Sequence, residues 1–277
     1  WLQSRSSEEI WAMARQRRIS FHPILTVPQV CDSDQAQARD MLVESPDVEP
    51  QLRVPRAPYL MTRTPAFLPG RAPRLDDIAA EHWGSSSRSP DPKHAKTGGD
   101  QGHGAEGMPL AGLRVLDLGQ VWAGPLVGRY LADYGADVVS IRTASRPPTV
   151  GGSTDSESPV AWEWIYRNKR SLALNFREPE AVSLFWRLAS VSDVVIDNFS
   201  PRAMPRMGLG YDELTEANPR LIMVALPAAG RGGPWSDLVT YGPSLEGLYG
   251  MKSLNGYSDT GQLMESAAEL DPTSVGY

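Results

Sequence analysis

Apolar and polar positions divide the chain into three stretches of different character. From 108 onward, short apolar runs recur at 113–118, 136–141, 171–174, 193–196 and 221–226. Each has four to six residues, too few for a helix, and most are rich in valine, isoleucine and leucine, so they read as buried strands. Residues 126–134 and 178–190 show helical spacing, and 119–125 reads as a turn. Strand and helix in alternation predict an α/β fold with a doubly wound, mostly parallel sheet. In such sheets ligands settle beyond the carboxyl ends of the strands. Those ends are 119–124, 142–146, 197–200 and 227–233.

The front of the chain is patterned differently. Residues 8–18 read as a helix on the spacing of Ile10, Trp11, Met13 and Ala14, with Ser6 or Ser7 as its cap. The run 20–27 is short and β-prone. Pro28 opens a short helix and 33–42 holds another. From 46 to 74 proline recurs every few residues, which predicts an extended strap lying on another surface. Residues 86–107 contain no large apolar residue and read as a disordered linker. The expected units are therefore a tail at 1–85, the linker at 86–107, and a sheet domain at 108–277.

Composition narrows the function. The net charge is −6 with no basic face, which argues against a nucleic-acid partner. Arginine carries nearly all the basic charge; the lysines are Lys93, Lys96, Lys169 and Lys252. Cys31 is the only cysteine, so an internal disulfide and a thiolate metal cluster are both excluded. His94 and His103 read as solvated linker residues, and no metal site is expected. No apolar run approaches the roughly 20 residues that span a bilayer. No stretch reads as a secretory signal, and a cytoplasmic setting is expected. The first turn after a strand carries Gln120-Val121-Trp122-Ala123-Gly124-Pro125 instead of GxGxxG, so a nicotinamide or flavin role loses its main support.

Seven motifs in the sheet domain carry a resemblance. They are LAGLRVLDL (110–118), AGP (123–125), LADYGADV (131–138), NKRS (168–171), DNF (197–199), RMGLG (206–210) and NPRLI (218–222). In this order and spacing they resemble the class III CoA-transferase family, also called CaiB/BaiF. The tail resembles the far end of the same family, through a tryptophan-led helix, LTVPQV (25–30), RVPRAP (53–58), Thr64-Pro65 and APRL (72–75). Tail before head implies a fused two-unit enzyme, with circular permutation as the other reading. Trp1 at one end and a helix start at Tyr277 at the other lead us to expect a piece of something longer. A fused enzyme implies a pseudo-dimer or homodimer of interlocked units.

The resemblance implies transfer of CoA from an acyl-CoA to a carboxylic acid through an aspartyl-CoA thioester, with no cofactor other than CoA as substrate. It places the nucleophile at Asp271, which is followed by Pro272 and could equally be a plain helix cap. It implies that Trp122 and Ala123 line the pantetheine and adenine path, and that Leu174, Asn175 and Arg177 approach the nucleotide. Asn198 and Phe199 would flank the adenine, although Phe199 is as readily a core residue. Arg206 would meet a phosphate, or else be a solvated helix-end arginine. Thr240, Tyr241 and Gly242 would close near the thioester. The formyl-CoA branch has glutamine at Trp122, arginine at Thr143 and lysine at Val239; Arg142 or Arg146 could supply the missing cation. Trp122 makes formate/oxalate exchange an unexpected activity.

Two other readings stay open: an α-methylacyl-CoA racemase of the same fold, and a non-catalytic scaffold half. Racemase chemistry needs a histidine and an acid on opposite faces of the α-carbon. His22, His82, His94 and His103 all precede the sheet domain, and the corresponding position reads Tyr241-Gly242-Pro243.

Overall fold

The computed structural model describes residues 1–45, 52–66, 107–142, 159–257 and 259–264. Asp271, residues 86–106 of the linker, Thr143, Arg146 and residues 67–75 of the strap lie outside them.

Helix α1 (Ser7–Arg17) starts in a capping box: Glu9 N–H donates to Ser6 Oγ at 3.2 Å, and Ser6 N–H donates to the Glu9 carboxylate at 3.0 Å. Arg18, in left-handed geometry, ends it. Two short helices follow, α2 (Val27–Cys31) and α3 (Asp34–Ala38). Strands β1 (Leu42–Glu44) and β2 (Arg53–Pro55) pair antiparallel in a hairpin that the proline-rich pattern concealed. The β-prone run 20–27 forms no strand. Pro23 has no N–H to give a ladder, and the Leu25 N–H goes to the Gly247 carbonyl at 2.9 Å.

The sheet domain holds β3 (Arg114–Asp117), α4 (Ala123–Asp133), β4 (Asp137–Arg142), α5 (Pro159–Tyr166), β5 (Arg170–Ala173), α6 (Pro179–Ser190), β6 (Val194–Asp197), α7 (Ala203–Arg206), α8 (Tyr211–Ala217), β7 (Ile222–Ala225) and α9 (Gly242–Leu248). The five strands run in the order β5-β4-β3-β6-β7, and every pair is parallel. The chain winds outward from β3 through β4 to β5, then returns through α6 to β6. That reversal lies between β3 and β6, where a doubly wound sheet opens its crevice. Helix α4 begins three residues earlier than its apolar spacing predicts. Pro125 sits in its first turn, where a missing N–H leaves no bond unmade.

Period-two alternation along the strands sorts the core into two faces. Val115, Val194 and Ile196 pack with Ala132 of α4. Leu116, Leu118 and Val195 pack with Phe185 and Ala189 of α6 and Leu214 of α8. A third cluster joins tail and head. Ala229, Trp235 and Leu248 are covered by Trp11 and Leu25, and the Trp11 and Trp235 rings meet edge to face at 5.7 Å.

Candidate functional site

The two turns that flank the crevice are joined. Asn198, just past β6, accepts from Gln120 N–H at 2.8 Å and donates to the Gln120 carbonyl at 2.7 Å. One side-chain amide thus behaves as a strand neighbour for the turn after β3. That turn holds Val121 at φ +64°, a costly conformation for a β-branched residue. Trp122 follows as the N-cap of α4. The Asp117 carboxylate steadies the base of the turn by accepting from Gly119 N–H at 2.8 Å.

The NKRS motif accounts for three aspartates of the β3–α4–β4 unit. Asn168 donates to Asp133 at 2.7 Å, Lys169 to Asp117 at 2.8 Å, and Arg170 pairs with Asp137. Lys169 also donates to the Pro125 carbonyl in the first turn of α4. Burial pushes the Asp117 carboxyl up and the Lys169 ammonium down, and the ion pair opposes both shifts. Asp133 also receives Arg167 at 2.8 Å, a bond that, with Asn168, holds its carboxyl below the usual range.

Around this pair lies an aromatic and cationic wall. The Arg142 guanidinium stands 4.1 Å from the Tyr166 ring centre, and Arg129 stands 4.5 Å from that of Trp164. Trp122 and Trp164 meet at 5.9 Å. Burial raises the Tyr166 hydroxyl to about 12 and lowers the Arg142 guanidinium from its usual value. α5, which supplies Trp164 and Tyr166, is not among the elements read from the sequence, although most of its residues are apolar.

The remaining sequence-selected residues take up the following places in the fold. Ala123 is the first residue of α4 and Arg142 the last of β4. Leu174, just past β5, is buried in the core, whereas Asn175 and Arg177 are exposed in the turn that follows. Phe199 is partly buried against the core, with its N–H on Asp197 at 3.1 Å. Arg206 is exposed at the end of α7. Thr240 and Tyr241 lead into α9, and Gly242 opens it. Asp271 lies outside the described residues.

Sequence reasoning missed a polar joint between tail and head. Gln35 on α3 is fully buried. Its Nε2 donates to the carbonyls of Ala229 at 2.8 Å and Gly232 at 3.0 Å, and its Oε1 accepts from Trp235 N–H at 2.8 Å. No local pattern marks this residue, because its partners are about 200 positions away. His22 also faces the head. Its Nε2 donates to the Val239 carbonyl at 3.0 Å, and its Nδ1 is buried with no hydrogen-bond partner. Both ring nitrogens are therefore closed to a substrate. Among the described residues, no group of His, Cys, Asp and Glu could hold a metal, and no helix is long and apolar enough to cross a membrane.

A family model described as CoA-transferase family III matches residues 1–77 and 110–274. The chain is 38% identical over 149 residues to a probable CoA-transferase of Mycobacterium tuberculosis, covering 52% of this chain and 18% of that protein. It is 37% identical over 178 residues to the succinate–glutarate CoA-transferase of Agrobacterium fabrum, covering 61% and 44%. It is 34% identical over 154 residues to the succinyl-CoA–D-citramalate CoA-transferase of Chloroflexus aurantiacus, covering 54% and 38%. The chain thus spans less than half the length of each of these relatives. Its fold matches the crystal structure of a CaiB/BaiF family protein from Brucella suis with a TM-score of 0.54 and 32% identity, over 61% of this chain and 47% of that one.

Proposed function

This chain belongs to CoA-transferase family III, and we propose on that premise that its protein moves CoA from an acyl-CoA to a carboxylic acid. The observation that carries the reading is the switch point between β3 and β6, where Gln120 and Asn198 tie two turns together at the carboxyl edge of a parallel sheet. CoA would lie along that edge. Trp122 and Ala123 would line its path, and Asn198 and Phe199 would flank the adenine. Arg206 would meet a phosphate, and Arg142 would supply the cation that Thr143 lacks. Asn175 and Arg177 would approach the nucleotide, with Leu174 contributing only backbone because its side chain is buried. Thr240, Tyr241 and Gly242 would close near the thioester.

Asp271 would be the nucleophile. Its carboxylate attacks the thioester carbonyl, the C–S bond breaks, and CoA leaves as thiolate from a mixed anhydride. The thiolate then attacks the aspartyl carbonyl and releases the first acid, leaving an aspartyl-CoA thioester. The incoming carboxylate reverses both steps. CoA enters and leaves as a substrate, and the cycle requires no other cofactor.

We also propose that residues 1–85 are the tail of one family unit and 108–277 the head of a second, joined by 86–107. The family model matches on both sides of 78–109 and not within it. The Mycobacterium relative supports a double-length protein: 149 residues make up 18% of it, whereas 154 make up 38% of the Chloroflexus enzyme. Two units in one chain would form a pseudo-dimer.

Succinyl-CoA, named for the Chloroflexus relative, is the first donor to assay. Incubation with succinyl-CoA and a panel of labelled carboxylic acids should move CoA onto at least one acid without net hydrolysis. Epimerisation of a 2-methylacyl-CoA with no transfer would replace this reading with the racemase.

A further inference from the structure

We propose that Gln35 is a positioning residue for CoA binding, acting through the loop that follows β7. This inference rests on the functional reading above. The loop runs from Pro227 to Trp235; between its packed residues Ala229 and Trp235 it contains Gly230, Gly232 and Gly233, which have no side chains to fix the path of that stretch. Gln35 supplies what is missing. Its amide meets two carbonyls and one N–H of the loop, and all three bonds are made by a side chain with no solvent exposure. Gly233 lies at φ +84°, and a Cβ there would collide with the Gln35 amide oxygen. One helical turn further along, the Arg39 guanidinium packs on Gly230 in the same manner.

The held loop reaches the crevice through Arg231, whose guanidinium pairs with the buried Asp197 carboxylate at 3.1 Å. The other oxygen of Asp197 accepts from Phe199 N–H at 3.1 Å, and the intervening Asn198 holds Gln120. A residue of the tail thus sets a loop, the loop sets Arg231, and Arg231 sets the turn that presents Asn198 and Phe199. Removing the Gln35 amide leaves two carbonyls and an N–H buried without partners, and the loop must move to solvate them. On this account the tail contributes to the ligand site without touching the ligand.

The test is calorimetric titration with CoA of the full chain, alongside amide hydrogen exchange. Gln35→Met keeps the length of the side chain and removes its hydrogen bonds. It is expected to weaken CoA binding tenfold or more and to speed exchange at the Trp235 amide. Ile24→Ala trims the tail–head contact at Gly247 of α9, outside the loop. It should lower the melting temperature while leaving CoA affinity within twofold of wild type, a split that a merely structural role for Gln35 does not produce. A folded Gln35→Met protein with wild-type affinity overturns the proposal. If Gln35→Met does not fold, Arg231→Gln decides: tenfold weaker binding supports the relay, and wild-type affinity overturns it. Failure of the wild-type chain to bind CoA counts against the functional reading instead. In that event, unchanged Trp235 exchange in Gln35→Met overturns the positioning role by itself.

Discussion

Lys169 and Asp117 form an ion pair 2.8 Å long whose side chains are 1% and 0% exposed. It joins the residue before β5 to the last residue of β3, across β4. Each charge depends on the other, because neither has water to turn to. Lys169→Met should therefore lower stability by about 3–5 kcal/mol, the usual result of leaving one buried charge uncompensated. Pairing it with Asp117→Leu should recover much of that loss. Urea unfolding of the two single variants and the double variant checks this, and additive losses would show that the pair is not coupled.

Gly128 lies where α4 passes over this pair. A Cβ there would fall 2.5 Å from Asp117 Oδ2 and 3.2 Å from Lys169 Nζ. Helix propensity alone favours Gly128→Ala by about 1 kcal/mol. The ion pair cannot give way cheaply, and overpacking costs about 1–3 kcal/mol. The variant should be destabilised despite its better propensity, and a rise in melting temperature would contradict the packing described here.

His22 gives the tail–head contact a pH dependence. Burial lowers its pKa from the usual histidine value of 6.5, and the bond to the Val239 carbonyl opposes the shift without cancelling it. A histidine with a depressed folded pKa contributes stability that is full above 6.5 and lost as pH falls through the folded value. Stability should therefore drop as pH falls below about 6.5. His22→Gln keeps a donor for the Val239 carbonyl and should flatten that part of the profile. Equal slopes for both proteins between pH 7.5 and 5 would rule out His22 as the cause.

The sheet was legible because each strand is a short apolar run bounded by turn residues, and the pattern survives without any tertiary information. The 113–118 and 193–196 runs land within two residues of β3 and β6 at either end. The 20–27 run misleads because its composition suits a strand, whereas Pro23 has no N–H, the Leu25 N–H goes to Gly247 and the Thr26 N–H to the Gln29 side chain. The Gln35 joint was illegible for a related reason: its partners lie about 200 positions along the chain. The motifs that carried the family resemblance were found correctly, but the structure gives several of them scaffolding tasks. Asn168, Lys169 and Arg170 hold three aspartates, and Asn218 donates to the carbonyls of Ala189 and Ser192 at the end of α6.

The central claim is CoA transfer through an aspartyl thioester at Asp271. Its most direct test is mass spectrometry of peptides from protein incubated with succinyl-CoA and quenched in acid. The account predicts a CoA adduct on the peptide that contains Asp271, absent in Asp271→Ala along with transfer activity. An adduct on a different residue, or full transfer by Asp271→Ala, would contradict it.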